Sequence, residues 1–315
     1  MSDGSLADRV LTGDRRAMAR AMSLLEDESP AGADLLRRIF PNTGRAYLIG
    51  VTGPPGAGKS TLVDRLTTAI RASGRTVGVL AVDPTSPFSG GAILGDRVRL
   101  QAHANDPAVF IRSMATRGHL GGLARATGEL ALVLDAAGVD VVLIETVGVG
   151  QDEVDIVRTA DVSVVTLVPG SGDDIQALKA GIMEIADIFI VNKADREGAD
   201  RTAASIEALL SLQTFAAGAW RPPIVKTEAT TGKGVPEVLA AIERFQAHTD
   251  ATSAVRRRAR AEYRVRELLC RKFTEFVEAS VLQPGELERI VDRITARELD
   301  PYSAVDGILE RSVKK

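Results

Sequence analysis

The chain is poor in cysteine, in aromatic side chains and in net charge of either sign. Its single cysteine, Cys270, excludes an internal disulfide framework and is typical of a reducing compartment. The net charge of -3 gives no general electrostatic attraction to nucleic acid or to an anionic membrane. No run approaches the roughly 18 apolar residues of a membrane helix, and Asp3 and Asp8 interrupt any export signal. We therefore expect a cytoplasmic protein whose partners include neither nucleic acid nor a membrane.

What the chain does contain is a series of short, continuous β-branched runs. They lie at residues 47–51, 77–82, 139–144, 162–168 and 188–191, with weaker candidates at 108–111 and 223–225. Continuous apolar runs are typical of strands buried on both faces, hence of a parallel sheet covered by helices. Helical spacing separates them at 59–73, 120–137, 173–186 and 199–213. The alternation predicts an α/β, doubly wound and mainly parallel domain over residues 45–250.

Helical patterns flank this domain on both sides. Residues 1–44 have the apolar spacing of short helices, with Asp14 and Pro30 as their expected boundaries. Beyond residue 250 the strand patterns stop, and helices are expected at 254–282, 284–299 and 301–313. The apolar stripe of this tail, residues 251–315, requires a partner surface, either the body of the domain or a second subunit.

A glycine-rich loop lies between the first strand and the first helix of the domain. It fits the phosphate-loop pattern G-x-x-x-x-G-K-[ST], in which backbone amides and a helix N-terminus surround phosphate oxygens. Lys59 is expected to reach the β- and γ-phosphates, and Ser60 is expected to hold Mg²⁺. The predicted nucleotide contacts here are Gly53, Pro54, Pro55, Gly56, Ala57, Gly58, Lys59, Ser60 and Thr61.

A second motif indicates which base is bound. Asn192, Lys193 and Asp195 directly follow a predicted strand. An aspartate there can accept hydrogen bonds from N1–H and the exocyclic amine of guanine, a pair of donors that adenine lacks. Lys193 would lie over the base, and Asn192 would tie this loop to the phosphate loop. The sequence therefore favours GTP and GDP as ligands.

A further segment, Thr227-Glu228-Ala229, follows the next strand. Its backbone amides would be placed to bind the guanine O6. A plain turn is a nearly equal alternative at this position.

Acidic residues lie where the metal and the γ-phosphate should be. Asp83 and Glu145 end predicted strands and Asp96 lies in a glycine-rich loop, although helix capping is an equal alternative for Asp83 and Asp96. Gly148 is placed to offer its amide to the γ-phosphate. Gln151 lies two residues too far along the chain to act as the water-positioning glutamine of Ras-like proteins. We therefore expect slow intrinsic hydrolysis that requires an activating partner.

Several of these motifs together closely resemble one known family. The segments are 51–61, 82–86, 90–97, 117–122 and 145–151, and the family is the MeaB/MMAA group, also called ArgK. Its members are G-protein chaperones of adenosylcobalamin-dependent acyl-CoA mutases of the methylmalonyl-CoA mutase type. The resemblance implies a homodimer formed through the C-terminal helices, and GTP hydrolysis that is stimulated by the mutase. It further implies control of cofactor loading and removal of damaged cofactor.

The resemblance also implies roles for individual residues. Ser60, Asp83, Asp96 and Glu145 would surround Mg²⁺, and Lys179 would belong to a third switch loop that couples hydrolysis to the mutase. Lys59, Asp83 and Lys179 are thus the expected catalytic residues.

Two other classes of function stay open at this stage. A metallochaperone-type GTPase usually has clustered His and Cys ligands, whereas this chain has three His and one Cys in all. A kinase of a transport-binding protein would need a base beside the γ-phosphate, and Asp83 is the candidate for that role.

Overall fold

The structure is a computed structural model, which describes residues 4–83, 101–103, 105–115, 122–146, 159–170 and 185–313. The chain divides into two compact units, Met1–Asp250 and Ala251–Lys315. The residues of the N-terminal extension lie in the first unit, together with the predicted nucleotide-binding domain. The second unit begins where the strand patterns of the sequence end.

The first unit contains a seven-stranded sheet in the described part of the chain, with the strand order β3-β2-β4-β1-β5-β6-β7. Every neighbouring pair is parallel, which confirms the predicted fold class. The strands are β1 (Tyr47–Thr52), β2 (Val77–Asp83), β3 (Val109–Ala115), β4 (Val141–Glu145), β5 (Val162–Leu167), β6 (Ile188–Asn192) and β7 (Ile224–Thr227). Both weaker strand candidates are therefore real strands. β3 extends beyond the predicted run 108–111 and continues to Ala115.

The helices of the first unit are α1 (Leu6–Leu11), α2 (Arg15–Glu26), α3 (Pro30–Ile39), α4 (Lys59–Ala72), α5 (Gly122–Ala136), α6 (Ala199–Ser211) and α7 (Val235–Thr249). Sequence reasoning missed α7, although Val235, Val238, Ile242 and Phe245 have helical spacing and are buried. Most of the helix predicted at 173–186 lies outside the described residues.

The second unit consists of α8 (Ser253–Phe276), α9 (Glu286–Thr295) and α10 (Pro301–Val313). The single helix expected over 254–282 is α-helical only as far as Phe276, and it continues as a π-helical turn over Val277–Val281. None of the described helices is both long and apolar enough to cross a membrane.

Burial of the sheet on both faces explains why its strands read as continuous apolar runs. One face packs with α4 and α7 through residues that include Val77, Val79, Val141 and Leu143. The alternate residues Leu80, Val82, Val142 and Ile144 pack with α1, α2, α3 and α5 on the other face. Successive side chains of a strand point to opposite faces, so a strand covered on both sides must be apolar throughout.

Specific polar contacts hold the N-terminal helices on this second face. The carboxylate of Asp14 accepts the amides of Arg16 and Ala17 and so caps α2. Arg112 of β3 forms a partly buried ion pair with Glu26 at the end of α2. The buried carboxylate of Asp135 accepts the backbone amides of residues 44, 45 and 46, where the chain enters β1. The extension is therefore part of the structure that supports the first strand.

Truncation of a buried side chain of α2 tests this shared core. Met22 is fully buried among residues of α5 and the sheet, so Met22→Ala should destabilise the first unit by about 2–5 kcal/mol. We expect one cooperative thermal transition of this unit at a lower midpoint, as measured by calorimetry. Met22→Leu is the control and should cost less than about 1.5 kcal/mol. A separate early transition with an unchanged main one would contradict the shared core.

Candidate functional site

The predicted site residues that the structure describes lie at the carboxyl edge of the sheet. The two neighbours of β1 are β4 and β5, so the strand order reverses at β1. In open α/β sheets, ligands bind outside the carboxyl ends of the strands at such a reversal. The phosphate loop follows β1 there, Glu145 ends β4, Asn192 ends β6 and Thr227 ends β7.

The glycines of the phosphate loop adopt backbone conformations that L side chains rarely reach. Gly53, Gly56 and Gly58 have φ values of 139°, 75° and 88°. A Cβ on Gly53 would lie 2.0 Å from the carbonyl oxygen of Thr166, and one on Gly58 would lie 2.4 Å from Asn192 Nδ2. Gly53 is therefore required both by its backbone angle and by the close backbone of β5, and Gly58 by its backbone angle and the side chain of Asn192.

Lys59 closes this loop on itself. Its ammonium group donates to the carbonyl oxygens of Gly53 at 2.6 Å and Pro54 at 3.1 Å, and the residue is buried. A buried charge requires such partners. These carbonyls hold the amine at the start of α4, directly beside the loop that would surround the phosphates.

Ser60 and Glu145 meet at the predicted metal position. The Ser60 hydroxyl donates to Glu145 Oε1 at 2.5 Å, and both residues are buried. Next to them, Thr146 Oγ1 donates to Thr52 Oγ1 at 2.9 Å, which links the ends of β4 and β1. A hydroxyl and a carboxylate are the hard oxygen ligands that Mg²⁺ prefers, so this pair fits the ion.

The other predicted metal ligands are described only in part. Asp83 is the last residue of β2, and β2 pairs with β4 through Ala81 and Glu145. The side chain of Asp83, and the whole of Asp96, Gly148 and Lys179, lie outside what the structure describes. Among the described residues, no three His, Cys, Asp or Glu side chains are grouped to hold a metal. The four-residue set of metal ligands stays a prediction.

Asn192 joins three segments with one side chain. Its Nδ2 donates to the carbonyl oxygen of Ala57 at 2.8 Å. Its Oδ1 accepts the Thr227 hydroxyl at 3.0 Å and the Ala229 amide at 3.1 Å. The expected link between the base motif and the phosphate loop is present, and it extends to the segment after β7.

Lys193 and Asp195 are the other two predicted base-binding residues after β6. Lys193 has a φ of 57°, and its ammonium group reaches over the phosphate loop to Gly56 O at 2.8 Å. The side chain of Asp195 is exposed. Lys233 lies nearby, and its hydrogen bond to Glu228, with the charge of Asp195, raises the pKa of Lys233 above its ordinary value. Sequence reasoning missed Lys233.

The segment after β7 differs in detail from the sequence-based expectation. The Glu228 amide donates to Lys233 O at 2.9 Å, and the Ala229 amide donates to Asn192 Oδ1. Two of the amides that were expected to bind O6, those of Glu228 and Ala229, are therefore engaged within the protein in this arrangement. Their role in guanine binding stays a prediction. It requires each amide to bind the guanine O6 in addition to its present acceptor or in place of it.

Arg65 is a further residue that no motif indicated. It lies on α4, and its guanidinium donates to the carbonyl oxygens of Ala229 and Thr230. Nothing in the local sequence marks this contact, because its two sides lie more than 160 residues apart.

Comparison with known proteins gives the class of the site. The sequence profile of the family described as methylmalonyl Co-A mutase-associated GTPase MeaB matches residues 18–281. The chain belongs to the MeaB family. It is a P-loop GTPase.

Similar proteins extend over most of the chain. A protein of Pyrococcus abyssi described as a GTPase is 50% identical over 312 residues, which span 98% of this chain and 96% of that protein. The mouse protein named methylmalonic aciduria type A homolog, mitochondrial, is 33% identical over 279 residues, or 82% of this chain and 67% of that protein. A solved structure of a protein described as a LAO/AO transport system kinase has a TM-score of 0.75 at 26% identity, covering 100% of this chain and 99% of that one.

The close approach at the first glycine of the MeaB-family phosphate loop gives a test of this geometry. Gly53→Ala places a Cβ against the backbone of β5, whereas a Cβ on Gly56, also at positive φ, meets nothing within 4 Å. Both alanines carry backbone strain, but only Gly53→Ala adds overpacking, which costs about 1–3 kcal/mol.

We therefore expect Gly53→Ala to bind GDP about tenfold to a hundredfold more weakly than Gly56→Ala. Titration calorimetry of the two variants measures the difference directly. Equal affinities of the two variants would contradict the steric role given to Gly53.

Proposed function

We propose that this GTPase hydrolyses GTP with Mg²⁺ and acts as a chaperone of an adenosylcobalamin-dependent acyl-CoA mutase of the methylmalonyl-CoA mutase type. In this role it gates loading of the cofactor into the mutase and supports removal of damaged cofactor. The observation that carries the proposal is the match to the mutase-associated family over residues 18–281. The likeness to the mouse protein named for methylmalonic aciduria supports it.

The phosphate-binding residues would act mainly by electrostatic stabilisation. Lys59 exchanges its carbonyl partners in the loop for oxygens of the β- and γ-phosphates, and the loop amides provide further donors. Ser60 and Glu145 would hold Mg²⁺, with Asp83 and Asp96 completing the set. The ion, when bound, neutralises charge that develops on the phosphate oxygens. In this metal site, Glu145 would occupy the position at which P-loop proteins usually have an aspartate.

The base motif would select guanine. The exposed Asp195 accepts the two donors of the guanine edge, while Lys193 lies along the base and Asn192 keeps both loops in register. A base without these donors leaves the carboxylate unsatisfied, which is the physical basis of rejection.

The mutase partner would supply what the chain lacks for fast hydrolysis. Gln151 is displaced in sequence from the position of a water-positioning glutamine. We assign Gly148 to the γ-phosphate and Lys179 to the coupling of hydrolysis with the mutase. A cytoplasmic location is part of the same proposal.

The proposal includes a homodimer formed by the helices of the second unit. In α8, the side chains of Val265, Leu269, Phe273 and Phe276 are exposed along one stripe. Exposed apolar stripes of this kind mark interaction surfaces. A second copy of the chain is the occupant that we assign to this stripe.

A charge placed in the stripe tests the dimer. Leu269→Glu should convert the dimer to a monomer, because a carboxylate buried in an apolar interface lacks a partner. Light scattering coupled to size exclusion measures the mass. Thr274→Glu is the control, since Thr274 lies on the other side of α8 and bonds to Cys270 O of its own helix. A wild-type monomer, or an unchanged dimer in Leu269→Glu, would contradict the proposal.

Stimulation by a mutase tests the chaperone function. We expect the rate of GTP hydrolysis to rise about tenfold or more on addition of the cognate mutase, because the partner completes the alignment of the attacking water. The measurement is phosphate release with and without purified acyl-CoA mutases of this class.

A Lys59→Ala variant is the control and should show no rate with or without the mutase. Absence of stimulation by every mutase tested would overturn the chaperone role but not GTP hydrolysis. Transfer of labelled γ-phosphate to a protein, rather than to water, would favour the kinase alternative, which is the activity named for the similar solved structure.

A further inference from the structure

Arg65 connects the helix of the phosphate loop to the segment after β7. Its Nε donates to Ala229 O at 3.1 Å, and a terminal nitrogen donates to Thr230 O at 2.7 Å. The residue lies on the second turn of α4, one turn beyond Lys59 and Ser60. The carbonyls belong to the turn over residues 228–231, which we call the base turn.

The chemistry of this contact favours positioning over charge pairing. Arg65 is half-buried and makes no ion pair within 4.0 Å with any residue that the structure describes. A guanidinium has its donors in a rigid planar fork, so it can bind two successive carbonyls at once. A lysine in its place would keep the charge but bond one oxygen at a time.

The base turn has three kinds of support in the described structure. Asn192 binds Thr227 and the Ala229 amide from the end of β6. An antiparallel bridge between Glu228 and Lys233 closes the turn on itself. Arg65 provides the contact from α4, and so fixes the turn relative to the helix whose N-terminus faces the phosphates.

We propose that Arg65 is a positioning residue for guanine recognition. It holds the base turn at a fixed distance from the phosphate loop, so that the base and the phosphates of one nucleotide are bound together. This inference rests on guanine nucleotide binding and is independent of the mutase partner.

The expected effect is confined to ligands that carry the base. Hydrogen bonds to charged groups contribute enough that loss of the fork should weaken GDP binding about tenfold to a hundredfold. Inorganic tripolyphosphate with Mg²⁺ binds only the phosphate loop and should retain its affinity within about twofold. At saturating GTP, kcat should stay unchanged while KM rises.

The experiment compares Arg65→Lys and Arg65→Met with the wild-type full chain. Calorimetry gives the Kd for GDP, and displacement of a fluorescent GDP analogue gives the inhibition constant of tripolyphosphate. Arg65→Lys is decisive, because it keeps the positive charge and the helix propensity while it removes the fork. Arg65→Met also removes the positive charge, so the difference in Kd between the two variants gives the contribution of the charge.

Arg71→Lys is the matched control. Arg71 lies on the same helix and forms a partly buried ion pair with Asp106 at 2.8 Å, away from the base turn. This variant should bind GDP and tripolyphosphate like the wild-type protein. Thermal unfolding of all variants reports on the integrity of the fold.

Two results would overturn the proposal. GDP affinity within about twofold of wild type in Arg65→Lys would remove the positioning role, whatever the affinity of Arg65→Met. Equal weakening of GDP and tripolyphosphate in Arg65→Lys would assign the residue to the phosphate loop instead. If Arg65→Met unfolds, Arg65→Lys alone decides between the outcomes.

Discussion

The nucleotide site depends on one buried side-chain amide, that of Asn192. Its donor binds the phosphate loop, and its acceptor binds the turn after β7. Because Asn192 is itself the last residue of β6, its hydrogen bonds fix the positions of both loops relative to the sheet. Asparagine suits this place because its amide carries a donor nitrogen and an acceptor oxygen with two lone pairs, enough for all three bonds at once. The close contact between Asn192 and Gly58 makes the glycine a condition of the same arrangement.

Near Asn192, the buried charged side chains form hydrogen bonds with groups close to them. Lys59 lies on carbonyls of its own loop, and Glu145 accepts the hydroxyl of Ser60. Each of these buried charged groups has a hydrogen-bonding partner, as a charge in a protein interior requires. Elsewhere in the first unit, Arg112 ties α2 to β3, and Asp135 of α5 holds the chain where it enters β1.

Much of this architecture can be predicted from the chain. The strands can be predicted because a sheet covered on both faces favours apolar residues at every strand position. Gly53, Lys59 and Asn192 can be predicted because they lie in motifs whose spacing is typical of phosphate and base binding. The errors have physical causes. The strand predicted at 108–111 stops short of Arg112 because the charge of Arg112 masks its place in β3, where Glu26 neutralises it. The helix α7 is missed because the apolar run that begins with Val235 follows a glycine-rich turn directly. The amides of Glu228 and Ala229 were expected to be free, although Lys233 in the same turn accepts the first and Asn192 of β6 accepts the second.

By itself, the sequence determined the sheet, the phosphate loop and the guanine motif, because each depends on local periodicity or on residues a few positions apart. Family membership followed from the same local motifs. Apart from the expected link of Asn192 to the phosphate loop, only the tertiary structure decided the contacts made across the carboxyl edge of the sheet. The bond of Arg65 to the base turn joins residues more than 160 positions apart, and both acceptors are backbone carbonyls that every residue carries. Such a contact leaves no trace in residue types, so it exists only once the strands have brought α4 and the base turn together.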